Sequence, residues 1–329
     1  MLLIGAGVDF YWHIAGDGGV GVGDGAGTAW VWKVRGNMQM LERKPIPLNF
    51  PQTFLPERRL LAKLLAFAVE NGRGEKTAIG EQTGIPTGKD TGKVEPMIYY
   101  CQGMGLVTAN RESGEWQLGL TALGRVVFQE DRYLGESHTL WLLHLMLCRP
   151  LGLVSPPAGV ADAWFTLFAE SHFRLGTNFS QQDFLAFLIE RHGEKSYTKS
   201  LVGVAIRTYL EESCLGMITA LRQQGSGDDA IIERCSAPSE RSYYPVYAAY
   251  LYLVWDELFA DENQIELDRL AEESRCFVLM GWDDVAINRW LEWMVDKGLI
   301  QLDRYTGTAM LLRLGMTAQV VSNIYSELI

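Results

Sequence analysis

Thiols are scarce in this chain. Five cysteines in 329 residues, at positions 101, 148, 214, 235 and 276, are odd in number and never form a CxxC pair. That argues against a disulfide framework and a zinc site, and predicts reduced, mostly buried side chains. Positive charge is also short: 29 Lys and Arg face 40 Asp and Glu, a formal net charge of -11. Taken whole, such a chain is a poor polyanion binder, because phosphate contacts need cations to displace condensed counterions. Long apolar runs are missing too. The run Leu140 to Cys148 spans nine residues and contains His144, well under the roughly 18 that a membrane span needs. The first residues, MLLIGAGVDFYWHIAG, carry no Lys or Arg before their apolar positions and include Asp9 and His13, a poor secretory signal. The expectation is a cytoplasmic protein with no membrane partner.

Charge distribution says more than its sum. Residues 41 to 128 hold eleven Lys and Arg against nine Asp and Glu, whereas residues 256 to 303 hold four against thirteen. An anionic ligand therefore belongs to the first stretch. At 48% apolar and 21% charged residues, the chain has ample material for buried cores.

Residues 1 to 37 contain ten of the 34 glycines and show no helical period. We expect a Gly-rich tail over 1–40, with a translation start at Met38 or Met40 as the alternative. Its Gly16-Asp17-Gly18-Gly19-Val20-Gly21 fits dinucleotide-loop spacing, but without the flanking strand and helix that the motif requires.

Periodicity then predicts a first unit over 41–130. A helix from Glu57 places Leu60, Leu61, Leu64, Leu65 and Ala68 on one face and stops at Asn71-Gly72. Further helices fit Lys76 to Gln82 and Lys93 to Gln102, the latter with Pro96 in its first turn. A hairpin turning at Ser113-Gly114 follows, and Thr121 caps a closing helix through Phe128. The order recurs over 236–329, with helices at Tyr243 to Phe259 and Ile265 to Glu273 and a third capped by Asp283. That third helix should bury Ile287, Trp290, Leu291, Met294 and Val295, ahead of a hairpin and a last helix from Thr317 to Leu328. The segment 131–235 reads as helical, with a flexible loop at Gly225 to Asp229. The expected fold is mainly α with small β-hairpins: two winged helix-turn-helix units flanking a helical middle segment.

The loop before the third helix sets Thr87, Lys89, Thr91 and Lys93 among glycines at a helix N-terminus, an arrangement suited to anions. It fails the phosphate-loop step, since Thr83 and Thr87 stand where glycine is required. In a winged helix, Lys89 and Lys93 would meet phosphates with Thr87 and Thr91 beside them. Tyr99 and Gln102 would face base edges, and Arg111 would sit on the wing. The bland reading is a solvated loop on a module that binds protein. His144 is expected to be a polar group within the core, the tyrosines from Tyr243 to Tyr252 to be core packing, and Asp256, Glu257, Asp283 and Asp284 to be weak magnesium candidates. Glu42-Arg43-Lys44 has a nuclease-like E-x-K step without a strand.

Several stretches also resemble a known family. Thr121-Ala122-Leu123-Gly124, Tyr133-Leu134 and Thr139-Leu140-Trp141-Leu142-Leu143-His144 resemble a signature of the bacterial SspB-like family, a domain of unknown function encoded beside DNA phosphorothioation genes. Asn49-Phe50 to Pro56, Gly84 to Lys89, Ala163-Trp164-Phe165 and Arg207-Thr208-Tyr209 are similar to it in order. The loop Thr87 to Lys93 is longer than the family's, which implies a divergent branch. The resemblance implies a role on DNA in phosphorothioation or restriction, an anti-phage defence. A sulfurtransferase and other phosphorothioation proteins would be the partners. It also implies nicking of one strand, with Mg2+ as cofactor if nicking is retained, and it supplies no catalytic residues. The alternatives are a non-catalytic winged-helix adaptor or transcriptional regulator, and an interaction module for a sulfurtransferase that never touches DNA.

Overall fold

Leucines at Leu60, Leu61, Leu64 and Leu65 recur at helical spacing and are fully buried, so the first helix, α1 (Arg58–Val69), forms against the core along one stripe. It ends where Asn71 takes a left-handed φ of 55° or less, at 52°, a conformation asparagine tolerates. The computed structural model describes residues 45–88, 92–227, 230–304 and 307–328. After α1 come β1 (Arg73–Gly74), α2 (Lys76–Thr83), α3 (Val94–Gly103), β2 (Val107–Glu112), β3 (Glu115–Leu120) and α4 (Ala122–Glu130). The β2–β3 hairpin turns through Ser113 at φ 51° and Gly114 at φ 90°, the paired positive φ that a two-residue hairpin needs. The Thr121 side chain accepts from the Gly124 amide at 2.9 Å and caps α4. A Cβ on Gly124 would lie 1.9 Å from the Leu106 carbonyl oxygen, so only glycine lets α4 pack this closely on the hairpin.

The middle stretch holds α5 (Ser137–Leu147), α6 (Asp162–Phe165), a π-helical turn at Thr166–Glu170, α7 (His172–Leu175), β4 (Asn178–Ser180), α8 (Gln181–His192), α9 (Thr198–Arg207), β5 (Leu221–Gln224) and β6 (Ile231–Arg234). The last stretch holds α10 (Tyr244–Leu258), β7 (Gln264–Glu266), α11 (Leu267–Ser274), α12 (Cys276–Met280), α13 (Asp284–Asp296), β8 (Ile300–Asp303), β9 (Met310–Arg313) and α14 (Thr317–Ser322).

Mainly α with small antiparallel sheets is what the structure shows. The middle stretch departs from its purely helical expectation. Three sheets of three strands occur, ordered β1-β3-β2, β4-β6-β5 and β7-β9-β8. In each, a lone strand pairs antiparallel with the second strand of a hairpin. The middle sheet escaped sequence reading because β4 has three residues and β5 is Leu-Arg-Gln-Gln, too short and too polar for an alternating signal.

Three other expectations change in detail. Ile265 and Glu266, expected as the start of a helix, belong to the strand β7. On α13, Trp290, Leu291, Trp293 and Met294 are buried while Val295 is 40% exposed, because Trp293 packs edge-on against Tyr244 at 5.6 Å. The final helix stops at Ser322, where the Ser322 and Asn323 side chains both donate to the Gln319 carbonyl, at 2.8 and 2.9 Å. Such local bonds compete with continued helix.

One apolar core runs from Ile46 to Ile324, and the described residues form one compact unit. At its centre, Arg149 is 1% exposed and donates through Nε to both Glu257 oxygens at 3.1 and 3.0 Å, and through Nη1 to the carbonyls of Met146 and Gly103. This buried pair therefore ties α5 to α10 and to the end of α3.

Candidate nucleic-acid interface

The described ends of the loop between α2 and α3 come together. Gly84 leaves α2 at φ 64°, its carbonyl takes a bond from Lys63 Nζ at 3.0 Å, and Thr87 bridges Gly92 across the loop. A Cβ on Gly92 would stand 2.9 Å from Thr87 Oγ1 and 3.0 Å from its Cα, so glycine is required for this pinch. Thr87 is half-buried. Lys89 and Thr91 lie outside the described residues, as do Glu42-Arg43-Lys44 and the Gly-rich tail.

Lys93 is paired at the head of α3. Its Nζ contacts Glu57 Oε1 and lies 5.9 Å from the Phe54 ring centre. Lys93 thus points back toward the start of α1, and an approaching phosphate must compete with a carboxylate.

At the other side of α3 the side chains converge. Strand register sets Arg111 opposite Trp116, and the Arg111 guanidinium lies 5.4 Å over the indole. Glu95, in the first turn of α3, accepts from Arg111 Nη1 at 2.9 Å and from Trp116 Nε1 at 3.4 Å. The Tyr99 ring stands edge-on to Trp116 at 5.4 Å and to Phe50 at 6.0 Å. Burial, then the Glu95 charge, raises the Tyr99 phenol above its ordinary pKa, so it remains a neutral donor. Tyr99, Gln102, Asn110, Arg111 and Trp116, with Pro45 and Pro47, line an open groove of about 450 Å³. Arg111 is half exposed and held on two sides, so its guanidinium keeps a fixed orientation, and, as at Lys93, an approaching phosphate must compete with a carboxylate.

The structure thus gathers Tyr99, Gln102 and Arg111 in one groove and leaves Thr87 and Lys93 outside its lining, at the N-terminus of α3. Sequence reading missed Glu95, Asn110 and Trp116 as parts of the site. The signal for Trp116 was present in the hairpin register, which pairs it with Arg111. Glu95 joins them only through the docking of α3 on β2.

The other candidates become core or ion-pair residues. His144 is fully buried with Nδ1 2.8 Å from the Tyr209 hydroxyl, and Cys148 Sγ lies 3.6 Å from the same nitrogen. Burial lowers His144 to about 3 and pushes the Cys148 thiol upward, so this cluster is neutral and closed to solvent. Tyr244, Tyr247, Tyr250 and Tyr252 are all buried, with the Tyr247 hydroxyl on the Pro238 carbonyl at 2.8 Å. Asp256 meets Arg313 and Thr317, Glu257 meets Arg149, and Asp283 caps α13 on the Ala286 amide. Among the described residues no three His, Cys, Asp or Glu gather to hold a metal ion, and no helix is long and apolar enough to cross a membrane. Asp162 forms the densest of these ion pairs, accepting from the Gly159 amide at 2.6 Å and Arg191 Nε at 3.0 Å, with His192 Nε2 at 2.7 Å.

Residues 52–220 match the family described as Protein of unknown function (DUF4007). No curated protein matches the chain. Two solved structures share its fold. A magnesium-ion-bound SspB crystal structure is 19% identical with a TM-score of 0.65, over 85% of this chain and 88% of that one. A second SspB crystal structure is 20% identical with a TM-score of 0.63 over the same shares.

Proposed function

We propose, of a chain that belongs to the DUF4007 family of proteins of unknown function, that it is the DNA-binding component of a DNA phosphorothioation or restriction system. In this reading the segment 41–130 is a winged helix that carries the contact. The observation that supports it best is the triad Glu95–Arg111–Trp116. It holds a half-exposed guanidinium on the β2–β3 hairpin, beside the half-buried Glu95 and Tyr99 of α3. The order strand, helix, helix, hairpin supports the same reading, since in winged helices the helix before the hairpin enters the groove and the hairpin touches the backbone. The SspB fold of the two solved relatives fits this setting.

The C-terminal unit is a poorer reader. Its exposed helix α13 presents Asp284, Glu292 and Asp296, which repel phosphates at groove distance. That acidic face suits a protein partner, and a sulfurtransferase of the same system is the partner we assign to it.

Strand nicking is the second reading, favoured by the magnesium carried by one fold relative. The described residues do not fit a magnesium site, having no group of three His, Cys, Asp or Glu that could hold the ion. Two measurements test the proposal. Duplex DNA binding by fluorescence anisotropy should be seen for the whole chain and weakened by Arg111→Ala. Supercoiled plasmid with and without Mg2+ then divides the readings, relaxation marking a nickase and binding without relaxation an adaptor. No binding to any DNA overturns the proposal.

A further inference from the structure

We infer that the groove beside α3 receives a single unpaired nucleobase, an inference that rests on the DNA-binding reading above. Duplex recognition by a winged helix calls for side chains that protrude into a groove. Here the side chains assigned to recognition line a concavity. Its volume of about 450 Å³ falls in the roughly 300 to 1,000 Å³ range of small-molecule pockets.

The walls of the groove suit a flat, aromatic ligand. Tyr99 is fixed edge-on between Phe50 and Trp116, so its orientation is set before any ligand arrives. The Arg111 guanidinium is a second planar group, backed by the indole and pinned by Glu95. Aromatic rings and arginine planes are the platforms on which unstacked bases settle. Because both are already held, little ordering cost opposes binding.

The polar lining suits a base edge. Asn110 carries an amide with donor and acceptor side by side, the pattern that matches paired hydrogen-bonding groups on a base, and it lines the groove from an exposed strand position. Arg111 supplies the charge that a flanking phosphate requires. A base pulled from its duplex costs least where it is already unpaired, so the favoured ligand is DNA with one nucleotide outside the stack.

The test uses the whole chain and two duplexes of equal length, one fully paired and one carrying 2-aminopurine as a single bulged nucleotide. The expected result is about tenfold tighter binding of the bulged duplex, with 2-aminopurine fluorescence changed as the base leaves water for the groove. Asn110→Leu, which keeps the number of side-chain heavy atoms and removes both amide groups, should bring the ratio of the two affinities, measured on the same variant, close to one. Equal affinity for both duplexes with unchanged fluorescence overturns the base slot and leaves DNA binding standing. A preference that survives Asn110→Leu places the slot elsewhere and also overturns it. Failure to bind either duplex overturns the slot together with the function it rests on.

Discussion

Asp162 shows how a single side chain can organise a loop. Burial opposes its charge, but the bonds from His192, Arg191 and the Gly159 amide outweigh that and lower its pKa to about 2. A carboxylate depressed in the fold contributes stability above its unfolded pKa, about 3.8, and loses it as pH falls through the folded value. The contribution is about 2 kcal/mol at neutral pH. Asp162→Asn should therefore cost about that much in urea unfolding at pH 7, and the difference from the wild type should shrink between pH 4 and pH 2. A pH-independent gap would contradict this. Glu57 is the second residue with a forecast. Glu57→Gln releases Lys93 from its ion pair, so duplex affinity should rise and the log–log salt slope should steepen by about one. An unchanged slope would mean that Lys93 does not reach a phosphate.

Elements were legible where local chemistry decides them. Thr121 at an N-cap, Asp283 at another, and the Ser113-Gly114 turn are each fixed by a few neighbouring residues, and each lies where the residues predict it. The middle sheet was not, because β4 gains its partner β6 more than fifty residues later in the chain and neither strand alternates strongly. The groove was half legible. Tyr99, Gln102 and Arg111 were readable as positions on a helix and a hairpin, whereas the link of Arg111 to α3 through Glu95 depends on how α3 docks on β2. The clearest prediction at this scale concerns Gly124. Gly124→Ala drives a methyl into the Leu106 carbonyl, a backbone atom that cannot swing away. The change should lower stability by about 3 kcal/mol, at the upper end of overpacking costs, despite alanine's better helix propensity. Calorimetry showing equal or higher stability would contradict that packing.

Across the whole molecule, the continuous core means that the three sheets share one stability. Arg149 and Glu257 sit at that junction. Glu257→Ala leaves a guanidinium buried without its carboxylate, which should cost about 3 to 5 kcal/mol, read as a drop of the whole transition in thermal unfolding. A separate transition for one part would show the units to be independent. Charge divides the molecule the other way, with a mildly basic N-terminal stretch and a strongly acidic C-terminal one, and that division carries the central claim that the N-terminal unit meets DNA. Salt-titrated duplex binding tests it most directly, comparing the wild type with Lys93→Ala/Arg111→Ala and with Arg289→Ala/Arg304→Ala. The first pair should weaken binding to every sequence and flatten the log–log slope by about one, the share of Arg111, since Glu57 holds Lys93 in the wild type, while the second pair should change neither. Binding lost with the second pair and kept with the first would contradict it.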